Sequence, residues 1–220
     1  SFEGGVKSVY YGGKLRLNIN GFYFTTDDLQ LTAVGGESNF TTLFNARNVD
    51  GYGLEAEFEA RPIDRLSFTA GISLNNNRIN DPNAFVAGCG SNCTVLNAQR
   101  PGSPGIFSIN GNRLPQSPQW TANWTAGYAH PVGNGELYVN TDWVYRSEIQ
   151  FFLYRSVEYR DRFLLEGGLR VGYRTGPFDI AAYVRNITDD QSAVGGVDFN
   201  NLTGFVDDPR IAGFELGFKF

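Results

Sequence analysis

The sequence predicts an all-β chain, a run of about nine antiparallel strands forming part of a transmembrane β-barrel. Three observations predict it. Apolar and polar residues alternate with period two in one segment after another. Connections alternate between short turns and long loops. The chain closes on an aromatic alternating strand that ends at Phe220.

The first strands are the least regular. Phe2, Val6 and Tyr10 oppose Glu3 and Lys7, and a Gly12-Gly13 turn leads into Leu15, Leu17 and Ile19, which oppose Arg16, Asn18 and Asn20. Next, Leu54, Ala56, Phe58 and Ala60 share one face, with Glu55, Glu57 and Glu59 on the other. A Pro62-Ile63-Asp64 turn joins this strand to the clearest one in the chain. There Leu66, Phe68, Ala70, Ile72 and Leu74 interleave with Ser67, Thr69, Gly71, Ser73 and Asn75. In a strand these two sets point to opposite faces, and about ten tilted residues cross a bilayer core.

The pattern recurs in Trp120 to Tyr128, in Leu137 to Tyr145 and in Leu165 to Tyr173, with turns at Pro131–Gly135 and Thr175–Pro177. It returns in Phe178 to Val184 and in the last strand, where Phe214, Leu216, Phe218 and Phe220 oppose Glu215, Gly217 and Lys219. The longer connections fall at about 32–45, 76–118, 147–162 and 188–209. Short periplasmic turns and long extracellular loops are the habit of outer-membrane barrels. Amphipathic strands also build soluble sandwiches, but a sandwich has no reason to sort its loops by length. Tyr128, Trp143, Tyr145 and Tyr173 lie toward strand ends, as interface girdles require.

Bulk composition agrees. With 18 Lys and Arg against 23 Asp and Glu the net charge is −5, which gives no basic patch for nucleic acid. No apolar run approaches the ~20 residues of a membrane helix. A negative mean hydropathy fits a barrel, because only alternate residues meet lipid. An odd strand count, the absence of methionine and the lack of a signal segment are expected of one portion of a larger barrel.

The sequence offers little chemistry. It holds no nucleophile–base constellation, no phosphate-binding loop and no metal-ligand set, so no catalytic residue, cofactor or metal is assigned. His130, the one histidine, stands beside the Pro131 turn. Cys89 and Cys93 read as a disulfide closing a small loop in an oxidising compartment; zinc is the competing reading and lacks its four ligands. The charged residues expected on the lumen wall are Glu55, Glu57, Glu59, Asp142, Glu166, Arg170, Arg174 and Arg185, with the three glutamates available to pair with Arg170, Arg174 or Arg185 across the lumen. Aromatic and cationic residues of the 146–160 loop, Phe151, Phe152, Tyr154, Arg155 and Tyr159, are candidates for ligand contact in an outer vestibule. Asn112 and Arg113 are weaker candidates on the same side. The competing reading of that loop is an aromatic girdle with a structured connection.

The terminal segment, Asp208-Pro209-Arg210-Ile211-Ala212-Gly213 followed by Phe214 to Phe220, resembles the end of TonB-dependent outer-membrane receptors. Val184-Arg185-Asn186-Ile187-Thr188-Asp189 is similar to the motif closing that family's penultimate strand, with Ile187 where Leu is usual. Asn112 to Trp120, Asn45-Ala46 with Gly53 to Ala56, and Phe22-Tyr23 with Asp28 to Gln30 resemble further segments, in order along the chain. The resemblance implies that residues 1–220 are the C-terminal portion of a barrel of about 22 strands, without plug or TonB box. It implies residence in a Gram-negative outer membrane and a role in TonB-energised uptake of a scarce nutrient such as a siderophore or saccharide. A split or plug-free porin is the main alternative, and a soluble β-sandwich binding module is the alternative from another class. Implied partners are outer-membrane lipid, the remaining strands and plug, the TonB complex acting through that plug, an unidentified small ligand and the barrel-assembly machinery. The last would read Phe214, Leu216, Phe218 and Phe220 as its signal.

Overall fold

The computed structural model describes residues 1–36, 40–90, 92–198 and 201–219. Its strands are β1 (Phe2–Tyr10), β2 (Leu15–Gly35), β3 (Phe40–Ile63), β4 (Leu66–Ile79), β5 (Phe85–Ala87), β6 (Ile106–Ser108), β7 (Trp120–Val132), β8 (Gly135–Gln150), β9 (Arg160–Thr175), β10 (Phe178–Arg185), β11 (Ala193–Asp198), β12 (Leu202–Val206) and β13 (Ile211–Phe218). Nine of them form one sheet in the order β1-β2-β3-β4-β7-β8-β9-β10-β13. All eight neighbouring pairs are antiparallel. The expected strand count and meander order are therefore present.

Register carries the alternation from strand to strand. One rung runs Ile19, Ala56, Ile72, Ala122, Tyr145, Leu165. Another runs Leu137, Tyr173, Ile180, Leu216. Directly paired residues lie on the same face, so apolar joined to apolar makes one continuous apolar surface. That surface is uncovered by protein: Leu54 is 56 % exposed, Ile180 55 % and Leu216 73 %. Exposed apolar area on this scale is what a lipid solvent covers. Phe214, Leu216 and Phe218 belong to it, paired with Ala182, Ile180 and Phe178. Phe220 lies outside the described residues. The opposite face is polar, as in the rung Asn18, Glu57, Gly71, Asn123.

At one rim the connections are tight. Asp64–Arg65, Gly133–Asn134 and Gly176–Pro177 join consecutive strands, and Tyr11–Gly13 forms a single 3-10 turn. Gly176 has φ +52°, a region that glycine enters without steric cost. Pro62 and Ile63 belong to β3, so the turn there is one step later than the sequence pattern placed it.

The other rim departs more from expectation. The stretch 32–45 is not a long loop, because β2 continues to Gly35 and pairs Gly35 with Phe40 of β3. Residues 37–39 lie outside the described set. The alternation changes phase there: inward-packing Phe24 is even-numbered, whereas Leu29, Leu31 and Ala33, packed on the same core, are odd-numbered. Asp28 between them has φ +54°, a left-handed conformation that Asp tolerates, and it turns the strand face over. Of the three remaining long connections, two carry strands of their own, the two-stranded ribbons β5–β6 and β11–β12, and the third is shorter than the expected 147–162 because β8 runs to Gln150 and β9 begins at Arg160.

The buried core lies at this loop-bearing rim. Ala46, Val49, Ile79, Ala84, Val86, Ile109, Ile149, Phe151, Leu153, Tyr154 and Tyr159 form one cluster. It draws on the tops of β3, β4 and β8 and on the 80–119 and 151–159 connections. A wall whose apolar face meets lipid leaves core packing to the part that stands in water.

Candidate functional site

On the polar face the charges are tied to near neighbours. Arg170 contacts Glu215 at 3.1 Å and Asp179 at 3.8 Å, Arg174 contacts Glu136 at 3.1 Å, and Arg185 contacts Asp142 at 3.4 Å. Tyr138 donates its hydroxyl to Asp179 at 2.6 Å, and the Arg174 guanidinium stacks 4.6 Å from its ring centre. Gly172 lies beneath that ring, where an added Cβ would approach Tyr138 to 2.4 Å. The glutamates are arranged differently from expectation: Glu57 accepts from Asn18 at 3.1 Å and Glu59 meets Arg16 at 3.7 Å. Among the described ion pairs none joins Glu55, Glu57 or Glu59 to Arg170, Arg174 or Arg185. These arginines sit on β9 and β10, several strands from β3, and nearer carboxylates satisfy them.

In the loop cluster Cys89 and Cys93 are joined by a disulfide with Cα atoms 5.9 Å apart. Gly90 beside it donates its N–H to the buried Asp198 of β11 at 2.8 Å. Thr94 donates both backbone N–H and hydroxyl to Glu158, at 2.8 and 2.9 Å. Desolvation works to raise the Glu158 carboxyl, but these two donors outweigh it and hold it below the usual range. Arg146 contacts Asp161 at 3.0 Å in largely buried surroundings and donates to the Ala193 carbonyl at 3.0 Å, anchoring β11 to β8 and β9.

The aromatic vestibule candidates divide. Phe151, Tyr154 and Tyr159 are buried, at 8 %, 1 % and 3 % exposure, and so is Asn112 at 6 %. Phe152 packs on Tyr154 and Tyr159 with ring centres 5.3 and 4.8 Å away. Asn112 donates to the Leu153 carbonyl at 2.7 Å and Asn97 donates to Asn112 at 2.9 Å. As placed, the side chains of Phe151, Tyr154 and Tyr159 pack within the cluster and hold it together, while Asn112 is bonded inside it and also borders a cleft. Sequence alone could not separate these uses, because a packed loop and a binding loop both want aromatics. Burial, with Asp198, Tyr159 and Glu158 nearby, pushes the Tyr154 phenol well above its ordinary pKa.

Phe152, Arg113 and Arg155 instead line a cleft of about 420 Å³ at the loop-side ends of β4 and β8. Arg78, Ser147, Glu148 and Gln119 are among its other polar lining residues. Arg113 donates to Gln119 at 2.6 Å. Burial, with Arg78 and Arg155 nearby and only partly offset by Glu148, draws the Arg113 pKa below its ordinary value. Arg78 was not legible as a site residue, although it is a charge placed on the parity of Ile72 and Leu74, where the apolar ladder has just ended.

Comparison with known proteins follows the same lines. Residues 1–187 match the family described as TonB dependent receptor-like, beta-barrel. Among solved structures, the siderophore receptor PiuA from Acinetobacter baumannii aligns at a TM-score of 0.72 and 16 % identity, covering 99 % of this chain and 28 % of that one. The ferric yersiniabactin uptake receptor FyuA from Yersinia pestis gives 0.72 and 18 %, with 99 % and 29 % covered. The copper transporter OprC gives 0.65 and 15 %, with 99 % and 30 % covered. The chain thus spans under a third of the length of these proteins. The family match, over most of the chain, joins a nine-stranded sheet with one lipid-ready face, and the chain belongs to the TonB-dependent receptor-like β-barrels of the Gram-negative outer membrane.

Proposed function

We propose that residues 1–220 form the C-terminal wall of a receptor barrel and part of its extracellular vestibule, in a protein that takes up a scarce nutrient with energy from the TonB complex. The observation that carries this reading is the pairing of a mainly apolar outward face on a nine-stranded sheet with a packed loop cluster at one rim. Such a wall gives a rigid frame, and the cluster above it is where an external ligand is first met. Glu55, Glu57, Glu59, Asp142, Glu166, Arg170, Arg174 and Arg185 would face the lumen and the plug. Phe152, Arg113 and Arg155 are the vestibule candidates that keep access to solvent, while Phe151, Tyr154, Tyr159 and Asn112 support them from beneath. Phe214, Leu216, Phe218 and Phe220 would be read by the assembly machinery. The named relatives carry siderophore, ferric yersiniabactin or copper, which favours a metal chelate over a saccharide as cargo.

The test is uptake by cells that lack or regain the gene encoding this chain, using radiolabelled ferric chelates and oligosaccharides. Accumulation of one cargo that needs both the gene and an intact TonB complex is expected. Equal uptake after TonB is removed would place the chain in a passive pore.

A further inference from the structure

We propose that the cleft holding Arg78, Arg113 and Arg155 binds a multiply charged oxyanion of the phosphate class. Arg78, Arg113 and Arg155 line one 420 Å³ space, with Arg78 and Arg155 close enough to act on the charge of Arg113, and Glu148 is the single acidic residue of the lining. That carboxylate is engaged by Arg160 at 3.3 Å and by Gln150, leaving it poorly placed to neutralise the others. Among the described residues, Arg78, Arg113 and Arg155 form no ion pair with any carboxylate within 4.0 Å. The contrast with the polar face is direct, where Arg170, Arg174 and Arg185 each have an acidic partner.

Like charges are held together only where the fold obliges them to be, and here it does. Arg113 is fixed by its bond to Gln119, while its neighbours are anchored by Asn112 on the Leu153 carbonyl and by Leu114 N–H on Asn77 at 2.9 Å. Arg155 is positioned by its N–H on Asn97 at 2.6 Å and by its carbonyl, which accepts from Leu96 at 2.8 Å. The array is therefore held in place ahead of any ligand. Guanidinium forks bind phosphate and carboxylate oxygens in pairs, and the flanking Ser147, Ser117 and Gln119 add neutral polar groups. The like-charge penalty on Arg113 is relieved when such an anion enters.

Two sources share this chemistry. Arg78 stands on the lipid-facing parity a few residues beyond Leu74, so a phosphorylated headgroup of the outer leaflet can reach it. A phosphorylated or polyanionic solute can enter from the medium. This inference goes beyond the transport reading and stands without it, because binding is read with no uptake step.

The experiment uses the full receptor purified in neutral detergent. Pyrophosphate is titrated calorimetrically, and lipid retained through purification is read by native mass spectrometry with and without added phosphorylated glycolipid. Binding in at least one arm is expected, weakening on added salt. The double variant Arg78→Gln/Arg155→Gln should weaken it tenfold or more, while Arg16→Gln, far away on the polar face, leaves it unchanged. A response to glycolipid alone assigns the occupant to the membrane, and a response to pyrophosphate alone assigns it to a solute; each upholds the site. Heat-modifiable mobility confirms that each variant is assembled, and the exposed single change Arg155→Gln carries the test if the double variant does not assemble. Absence of both responses, or equal binding by wild type and assembled variants, overturns the proposal.

Discussion

The membrane wall and the loop cluster above it use the same side chains to opposite ends. In the wall, Leu54, Ile72 and Ile180 are apolar because they face outward to lipid, and each is at least half exposed in the chain itself. In the cluster, Ile79, Ile109 and Tyr154 are apolar because they face one another, and each is at most 1 % exposed. The wall is held by register, hydrogen-bonded rungs and near-neighbour charge pairs. The cluster is held by packing, as a water-soluble domain is. A substitution should therefore be read differently in the two regions, and the difference is open to direct attack.

The largest effect is expected in the cluster. Tyr154→Ala should cost about 3–5 kcal/mol of local stability, the range for deleting a buried aromatic ring. The loss should appear as proteolytic cleavage in the 80–119 and 151–159 connections of a barrel that still runs as a folded species on unheated gels. Tyr154→Phe removes a hydroxyl that has no hydrogen-bond partner among the described groups and should leave protection equal or improved. If Tyr154→Ala unfolded wall and cluster together, the two regions would be one cooperative unit.

The wall has the complementary test. Ile72→Arg places a charge on the lipid face and should cost about 2–4 kcal/mol near the bilayer midplane. Ser73→Arg, one residue along on the polar face, should cost far less. Urea titration of both variants in lipid vesicles reads the difference directly. Equal losses would mean that the apolar rungs do not face lipid.

A smaller effect separates packing from solvation within the wall. Gly172→Ala drives a Cβ to within 2.4 Å of the Tyr138 ring, on the polar face. The ring must move, and with it the 2.6 Å bond to Asp179 and the stacking of Arg174. Overpacking of this kind costs about 1–3 kcal/mol. The measurement is urea stability in vesicles, beside Gly71→Ala, which faces only the amide of Asn123 at 3.2 Å and should cost less.

The same contrast explains what could be read beforehand. A period-two pattern is a local property, so Leu66 to Asn75 announced its two faces without knowledge of any partner. Charge pairing is not local, and the arginines of β9 and β10 took Glu136, Asp142 and Glu215 in place of the conspicuous glutamates of β3. The 32–45 stretch reads as a loop because Gly35, Gly36, Ser38 and Asn39 are turn-forming residue types, which say where a chain bends and not how far its strands extend on either side. Phe151, Tyr154 and Tyr159 were legible as important but not as buried, since composition does not say whether an aromatic packs on protein or on ligand. Arg78 became visible only when the fold carried the 111–119 segment alongside β4.

The smallest expected effect concerns the seam between the two long connections, where Thr94 meets Glu158. The Glu158 pKa is lowered in the folded state, so the carboxylate form is the one that the fold favours. Its contribution is then fully present above the ordinary glutamate value of 4.5 and is lost as pH falls through the lowered value. Hydrogen exchange at the amides of Thr94 and Val157, which lie on this seam, taken relative to the intrinsic chemical exchange rate at each pH, should rise on acidification in the wild type. In Glu158→Gln that rise should be absent, with exchange already faster at neutral pH, because a neutral amide oxygen is the weaker acceptor. The apolar rungs of the wall carry no carboxylate and should exchange alike in both proteins. An acid response of equal size in the variant would show that another group governs the seam, and a response in the rungs would show that cluster and wall open together.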